Sequence, residues 1–126
     1  METFEIKVES TIRVTTEDID DIMCAALEGG ITYWCNKAEV VGDYLGEYAS
    51  EQIARGGKLI LHDCEIDEAY ELTREMLLNG ISLAIEGNYY EDYDWVDGEV
   101  LDTCCIDADV ADVIVQLALF DEVIYG

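Results

Sequence analysis

The only histidine of the chain, His62, stands beside Asp63 and Cys64. A cysteine nucleophile needs a base within reach, and His62 is the one imidazole that could serve Cys35, Cys104 or Cys105. No family-specific local signature surrounds these cysteines. Lys58 to His62 reads as a strand ending at a helix start, where a polar His-Asp pair is ordinary. The reading is therefore non-enzymatic, with no catalytic residue assigned. Structural zinc wants Cys or His ligands, commonly in a short knuckle. His62-x-Cys64 and Cys104-Cys105 are too close for one, which leaves open only a site assembled from distant cysteines. For a calcium loop, Gly98 in the glycine position puts Tyr93 and Trp95 where acids belong, and the match fails. Gly29-Gly30 and Gly56-Gly57 fit neither the dinucleotide fingerprint nor the phosphate loop, and read as helix ends. No metal and no cofactor is expected.

A different chemistry is written between Tyr89 and Glu99. Tyr89, Tyr90, Tyr93 and Trp95 interleave with Glu91, Asp92, Asp94, Asp97 and Glu99. Aromatic faces attract arginine, and carboxylates pair with arginine and lysine by charge-assisted hydrogen bonds. In an extended segment Asp92 and Asp94 share a face, about 6.6 Å apart at the strand rise. Rows of carboxylates at such intervals can stand in for a phosphate backbone. The alternative is a solvated loop whose aromatics fold back on the core, since tyrosine often buries its ring and leaves its hydroxyl wet. A second acidic patch is Glu17, Asp18, Asp20 and Asp21. Acids at a helix N-terminus serve the dipole first, but these would extend an anionic face.

The whole composition leans the same way. Thirty acids face six cations over 126 residues, a formal net charge of −24. Charge of that size signals disorder only when hydrophobicity is low, and here 51% of residues are hydrophobic. One domain spanning residues 1–126, with a buried core under a negative shell, is expected. The shell repels itself, and a cationic partner would justify that cost. No basic residue follows Arg74, while 13 acids do. A phosphate-binding protein would show the reverse, so direct nucleic-acid binding is not expected. No apolar run is long enough to span a bilayer, and Met1 to Glu5 lacks the basic flank of a signal peptide. Five cysteines, an odd count without disulfide-like spacing, read as free thiols in a reducing cytoplasm.

The elements that must position these groups alternate in type. Phe4 to Val8 and Ile12 to Val14 alternate apolar and polar residues and predict strands. Thr15 or Thr16 caps a helix carrying Ile19, Ile22, Met23, Ala26 and Leu27 on one face, stopped by Gly29-Gly30. Ile31 to Val41 predicts a strand, Ser50 to Arg55 a short helix, and Leu59 to Leu61 a buried strand. Asp63 or Asp67 caps a helix through Ile66, Ala69, Tyr70, Thr73, Met76 and Leu77. Asn79-Gly80 breaks or kinks it before a second piece, Ile81 to Ile85. Asn88 to Gly98 is a loop or hairpin. Asp107 caps a last helix with Val110, Val113, Ile114, Leu117 and Ala118 inward, and Val123 to Tyr125 forms an edge strand. The expected class is α+β, a small mixed or antiparallel sheet packed by about three helices.

The run Ala26-Leu27-Glu28-Gly29-Gly30-Ile31-Thr32-Tyr33-Trp34 resembles a signature of small acidic proteins from phages and mobile elements of gut Firmicutes. The stretches 42–48, 56–63 and 106–113 are similar too. The signature has no assigned catalytic residues. It implies a mobile-element setting, in which small acidic proteins resemble, by class and charge, anti-CRISPR and antirestriction inhibitors that imitate DNA.

The expected function is a non-enzymatic inhibitor of a host defence nuclease, with a Cas9-type CRISPR effector as partner in the host bacterial cytoplasm. Glu91, Asp92, Tyr93, Asp94, Trp95, Asp97 and Glu99, extended by Asp18, Asp20 and Asp21, form the expected binding face, with Tyr93 and Trp95 as anchors. The alternative is a small-molecule or signal-nucleotide module, its pocket lined by Tyr33, Trp34 and the loop aromatics. An assembly protein that dimerises through an edge strand is a third reading.

Overall fold

The computed structural model describes residues 2–7, 11–87 and 95–126. Strand β1 (Thr3–Lys7) pairs antiparallel with β2 (Thr11–Thr15), which runs directly into helix α1 (Thr16–Ala25). Strands β3 (Cys35–Val40), β4 (Leu59–Asp63) and β5 (Glu68–Leu72) follow, then helix α2 (Arg74–Glu86). The short strands β6 (Val96–Asp97) and β7 (Val100–Leu101) precede helix α3 (Ala108–Phe120). The α+β class and three helices stand as expected among the described residues. The strands form two sheets where one was expected: a mixed β1-β2-β7-β6 and an antiparallel β3-β4-β5.

Why these residues form these elements is largely local. Thr15 caps α1 in a full capping box: its hydroxyl accepts the Asp18 N–H at 3.0 Å, and Asp18 accepts the Thr15 N–H at 2.9 Å. Asp107 caps α3 by accepting the Val110 N–H at 2.9 Å. Val14, Ile19, Ile22, Met23, Leu77, Ile81, Ile114 and Val115 are fully buried and knit the first sheet to the helices.

Four expectations are corrected. Residues Glu68 to Leu72 form a strand, not a helix. Asp63 turns its carboxylate onto the N–H groups of Glu65 and Ile66, at 2.8 and 3.4 Å, which starts a hairpin turn instead of a helix. The helix waits for Thr73, whose hydroxyl accepts the Met76 N–H. Second, α2 runs unbroken through Asn79-Gly80. Gly80 is there for contact: a Cβ would lie 2.4 Å from the Ile114 carbonyl oxygen of α3. Third, the helical run does end at Gly29-Gly30, but not as a regular α-helix and with no glycine of positive φ there. The chain widens into a π-helical turn over Ala26–Gly30, pressed against the start of α3, and β3 begins only at Cys35. Fourth, Val123 to Tyr125 is no strand. It is a tail held by side chains.

Candidate partner-binding face

The acids of α1 divide over two flanks. Asp18 spends its carboxylate on the helix cap. Asp20 turns toward the 3-10 turn Ala49–Glu51, with Arg55 at 3.5 Å. Burial pushes its pKa up; Arg55 pulls it down by a smaller amount, and Glu51 and Asp21 push it up again. Asp21 points the other way and accepts the Thr103 hydroxyl at 2.7 Å.

That Thr103 contact brings the second acidic segment alongside. Strand β7 lies parallel to β2, with Arg13 opposite Val100. The Arg13 N–H donates to the Glu99 carbonyl at 2.7 Å, and its guanidinium meets the Glu99 carboxylate at 3.2 Å. Asp97 and Glu99 are exposed on the β6–β7 hairpin, whose turn needs Gly98 at φ 64°. The parallel pairing thus sets Asp97 and Glu99 beside β2, while Thr103 ties the following segment to Asp21.

Trp95 is corrected as an anchor. It is fully buried, and its carbonyl accepts the Asp102 N–H at 2.8 Å. The fold uses its ring as core, the alternative open to an aromatic in this stretch. Glu91, Asp92, Tyr93 and Asp94 lie outside the described residues.

Four of the six basic residues are engaged inside the molecule. Arg13 pairs with Glu99, Arg55 with Asp20 and Glu51, Lys58 with Glu71, and Arg74 with Glu2. Arg74 also sits over the Phe4 ring, 4.4 Å from its centre. Such exposed pairs contribute little stability, but they occupy four of the six cations and leave most of the described carboxylates facing water. The field outside the protein is therefore negative.

No protein-family model, curated protein or solved structure matches this chain.

Cys35 lies on the strand beside His62, opposite Asp63, but the imidazole is turned to another partner. His62 pairs with Glu39 at 3.0 Å. Burial pushes the Cys35 and Cys24 thiols up, opposite to the shift an activated nucleophile needs. Cys104 and Cys105 sit in a 3-10 turn capped by Asp102. Among the described residues no group of three His, Cys, Asp or Glu side chains is arranged to hold a metal. No helix there is long and apolar enough to cross a membrane.

One polar cluster escaped the sequence reading. Asp112 is buried on α3 and accepts hydrogen bonds from Tyr33 Oη (2.6 Å), Trp34 Nε1 (2.8 Å) and Gln116 Nε2 (2.9 Å). Burial first, then the Asp112 carboxylate, pushes the Tyr33 hydroxyl up to about 12. Asp63, also buried, accepts the hydroxyls of Tyr70 and Tyr125. Tyr125 stacks on Trp34, ring centres 5.3 Å apart. Every donor and acceptor named here is matched, which is the signature of a tether for the C-terminal tail. The available signal was Asp112 and Gln116, four apart within a helix whose only other polar residue is Asp109 in its first turn.

Proposed function

We propose that this protein is a non-enzymatic inhibitor that offers a carboxylate face to the basic channel of a host defence nuclease. A CRISPR effector of Cas9 type, in the host cytoplasm, is the partner that fits best, because it holds nucleic acid in a positively charged groove. The reading rests on one observation. The Arg13–Glu99 and Thr103–Asp21 contacts draw two acid-bearing segments, distant in sequence, onto neighbouring elements. Asp21, Asp97 and Glu99 are the described residues in this role. Complementary charge would speed association and make it salt-sensitive.

The small-molecule reading draws less support. Trp34 is fully buried and committed to Asp112. The open cleft of about 470 Å³ beside His62 is lined by Asp63, Asp67 and Glu68 against Lys37, a poor match for a phosphorylated ligand.

The test is a titration against purified Cas9-type effectors at low and high salt, with wild type and a D21K/D97K variant. Binding that weakens steeply with salt, and at least roughly tenfold on charge reversal, supports the proposal. Affinity indifferent to both would sink it.

A further inference from the structure

Residues 41–48, between β3 and the 3-10 turn, put large side chains into water. Tyr44 is 60% exposed, Leu45 50% and Tyr48 62%. A segment with no strand or helix of its own and no buried rings has little reason to hold one shape. This segment is nevertheless held by two side chains that follow it. Gln52, only 1% exposed, accepts the Leu45 N–H at 3.0 Å and donates to the Asp43 carbonyl at 3.2 Å. Glu51 accepts the N–H groups of Tyr48 and Glu47 at 3.0 and 2.7 Å. Gly46 fits flat against this brace, since a Cβ there would lie 2.8 Å from that of Glu51.

The arrangement fixes a backbone while leaving its aromatic side chains unburied. That is costly for folding alone, because exposed rings gain nothing from burial. It suits binding, because an ordered loop has already met part of the ordering cost and tyrosine supplies rigid contact area. The ligand chemistry is written in the same loop. Asp43 and Glu47, each next in sequence to one of the tyrosines, are exposed, and Glu51 shares Arg55 with Asp20 of α1. A planar guanidinium can lie on a tyrosine face while pairing with the neighbouring carboxylate, which an ammonium does less well.

We infer that Tyr44, Leu45 and Tyr48 anchor this protein to an arginine-bearing basic protein surface, the place the sequence assigned to Tyr93 and Trp95. The inference rests on reading the chain as a binder of basic surfaces, and its test does not require the nuclease.

Isotope-labelled protein is titrated with a hexa-arginine and a hexalysine peptide and followed by amide NMR. The arginine peptide should move the amides of residues 43–48 and bind more tightly than the lysine peptide. In Y44A/Y48A, whose spectrum away from the loop reports that the fold is kept, arginine-peptide affinity should fall roughly fivefold. The lysine-peptide affinity should change little. Equal response to both peptides, shifts confined to α1 and the β6–β7 hairpin, or no binding would overturn the assignment. Nuclease titrations that fail while the arginine peptide docks on this loop would remove the nuclease and keep the anchor. The converse would remove the anchor alone.

Discussion

Gln116 grips the main chain of Tyr125 with both ends of its carboxamide: Oε1 accepts the Tyr125 N–H at 2.8 Å, and Nε2 donates to the Tyr125 carbonyl at 3.2 Å. The same Oε1 accepts the Ile124 N–H at 2.8 Å, and Nε2 also reaches Asp112. A wholly buried glutamine therefore ties the end of the chain to α3. Removing it takes one of three donors from the buried Asp112 carboxylate and leaves two tail N–H groups without their acceptor. Gln116→Ala should cost about 2–4 kcal/mol in urea unfolding, cavity and lost bonds together. Gln116→Met, which keeps the bulk, should still cost about 1–3 kcal/mol. Proteolysis should then reach the tail first in both. A loss under about 0.5 kcal/mol in both variants would mean the tail is not held here.

Asp63 gives the acid limb of stability. Burial alone would raise its pKa. The hydroxyl of Tyr125, the N–H of Glu65, the hydroxyl of Tyr70 and the N–H of Ile66 outweigh that and hold it below the ordinary carboxylate value. Its folded pKa is thus lower than its unfolded one. The stability it contributes is present above the unfolded value and is lost as pH falls through the folded value. Asp63→Asn should lower stability near pH 7 by about 2 kcal/mol and flatten the acid limb. Denaturant midpoints measured across that range for both proteins check it, and parallel acid limbs would count against it.

Gly80 sets two effects against each other. Alanine in a helix interior is favoured over glycine by about 1 kcal/mol. Here the added Cβ meets the Ile114 carbonyl oxygen at 2.4 Å and Ala118 Cβ at 2.9 Å. Backbone cannot give way cheaply, and overpacking costs about 1–3 kcal/mol. The clash should win, so Gly80→Ala should lower the thermal midpoint. A raised midpoint would show that α2 and α3 separate freely.

What could be read from the sequence was what is local. Thr15 and Asp107 announce their helices because a cap lies within three residues of what it caps. Phe4 to Val8 and Ile12 to Val14 alternate, and Thr3–Lys7 and Thr11–Thr15 pair as strands, Val8 lying outside the described residues. Glu68 to Leu72 was misread because Ala69, Tyr70 and Thr73 also satisfy a helical spacing, and only pairing with β4 decides the matter. The β2–β7 contact joins Arg13 to Val100 and has no local signature. The seating of Glu99 on Arg13 depends on that contact, so composition could suggest two acidic patches but not that β2 and α1 would hold the segment carrying the second. Trp95 was misplaced because an aromatic among acids gives the same pattern whether it anchors a partner or fills a core. Tyr44 and Tyr48 were passed over because the brace holding them comes from Glu51 and Gln52, which read only as a short helix.

Asp20 should behave opposite to Asp63. Its pKa is raised, first by burial and then by Glu51 and Asp21, against the pull of Arg55. A carboxyl whose folded pKa exceeds its unfolded one favours the fold fully below the unfolded value. That contribution is lost as pH rises through the folded value. Asn resembles the protonated carboxyl, so Asp20→Asn should match wild type in acid. It should then become relatively more stable as pH rises through and above the ordinary carboxylate value. Arg55 works against this, but its pair with Asp20 is long, at 3.5 Å, and Glu51 remains beside it in the variant. Paired denaturant unfolding at acid and neutral pH reads the difference directly. If Asp20→Asn is instead less stable at neutral pH than in acid, relative to wild type, the Arg55 contact outweighs burial. Asp20 would then stabilise the fold through Arg55 and not be an acid that burial penalises.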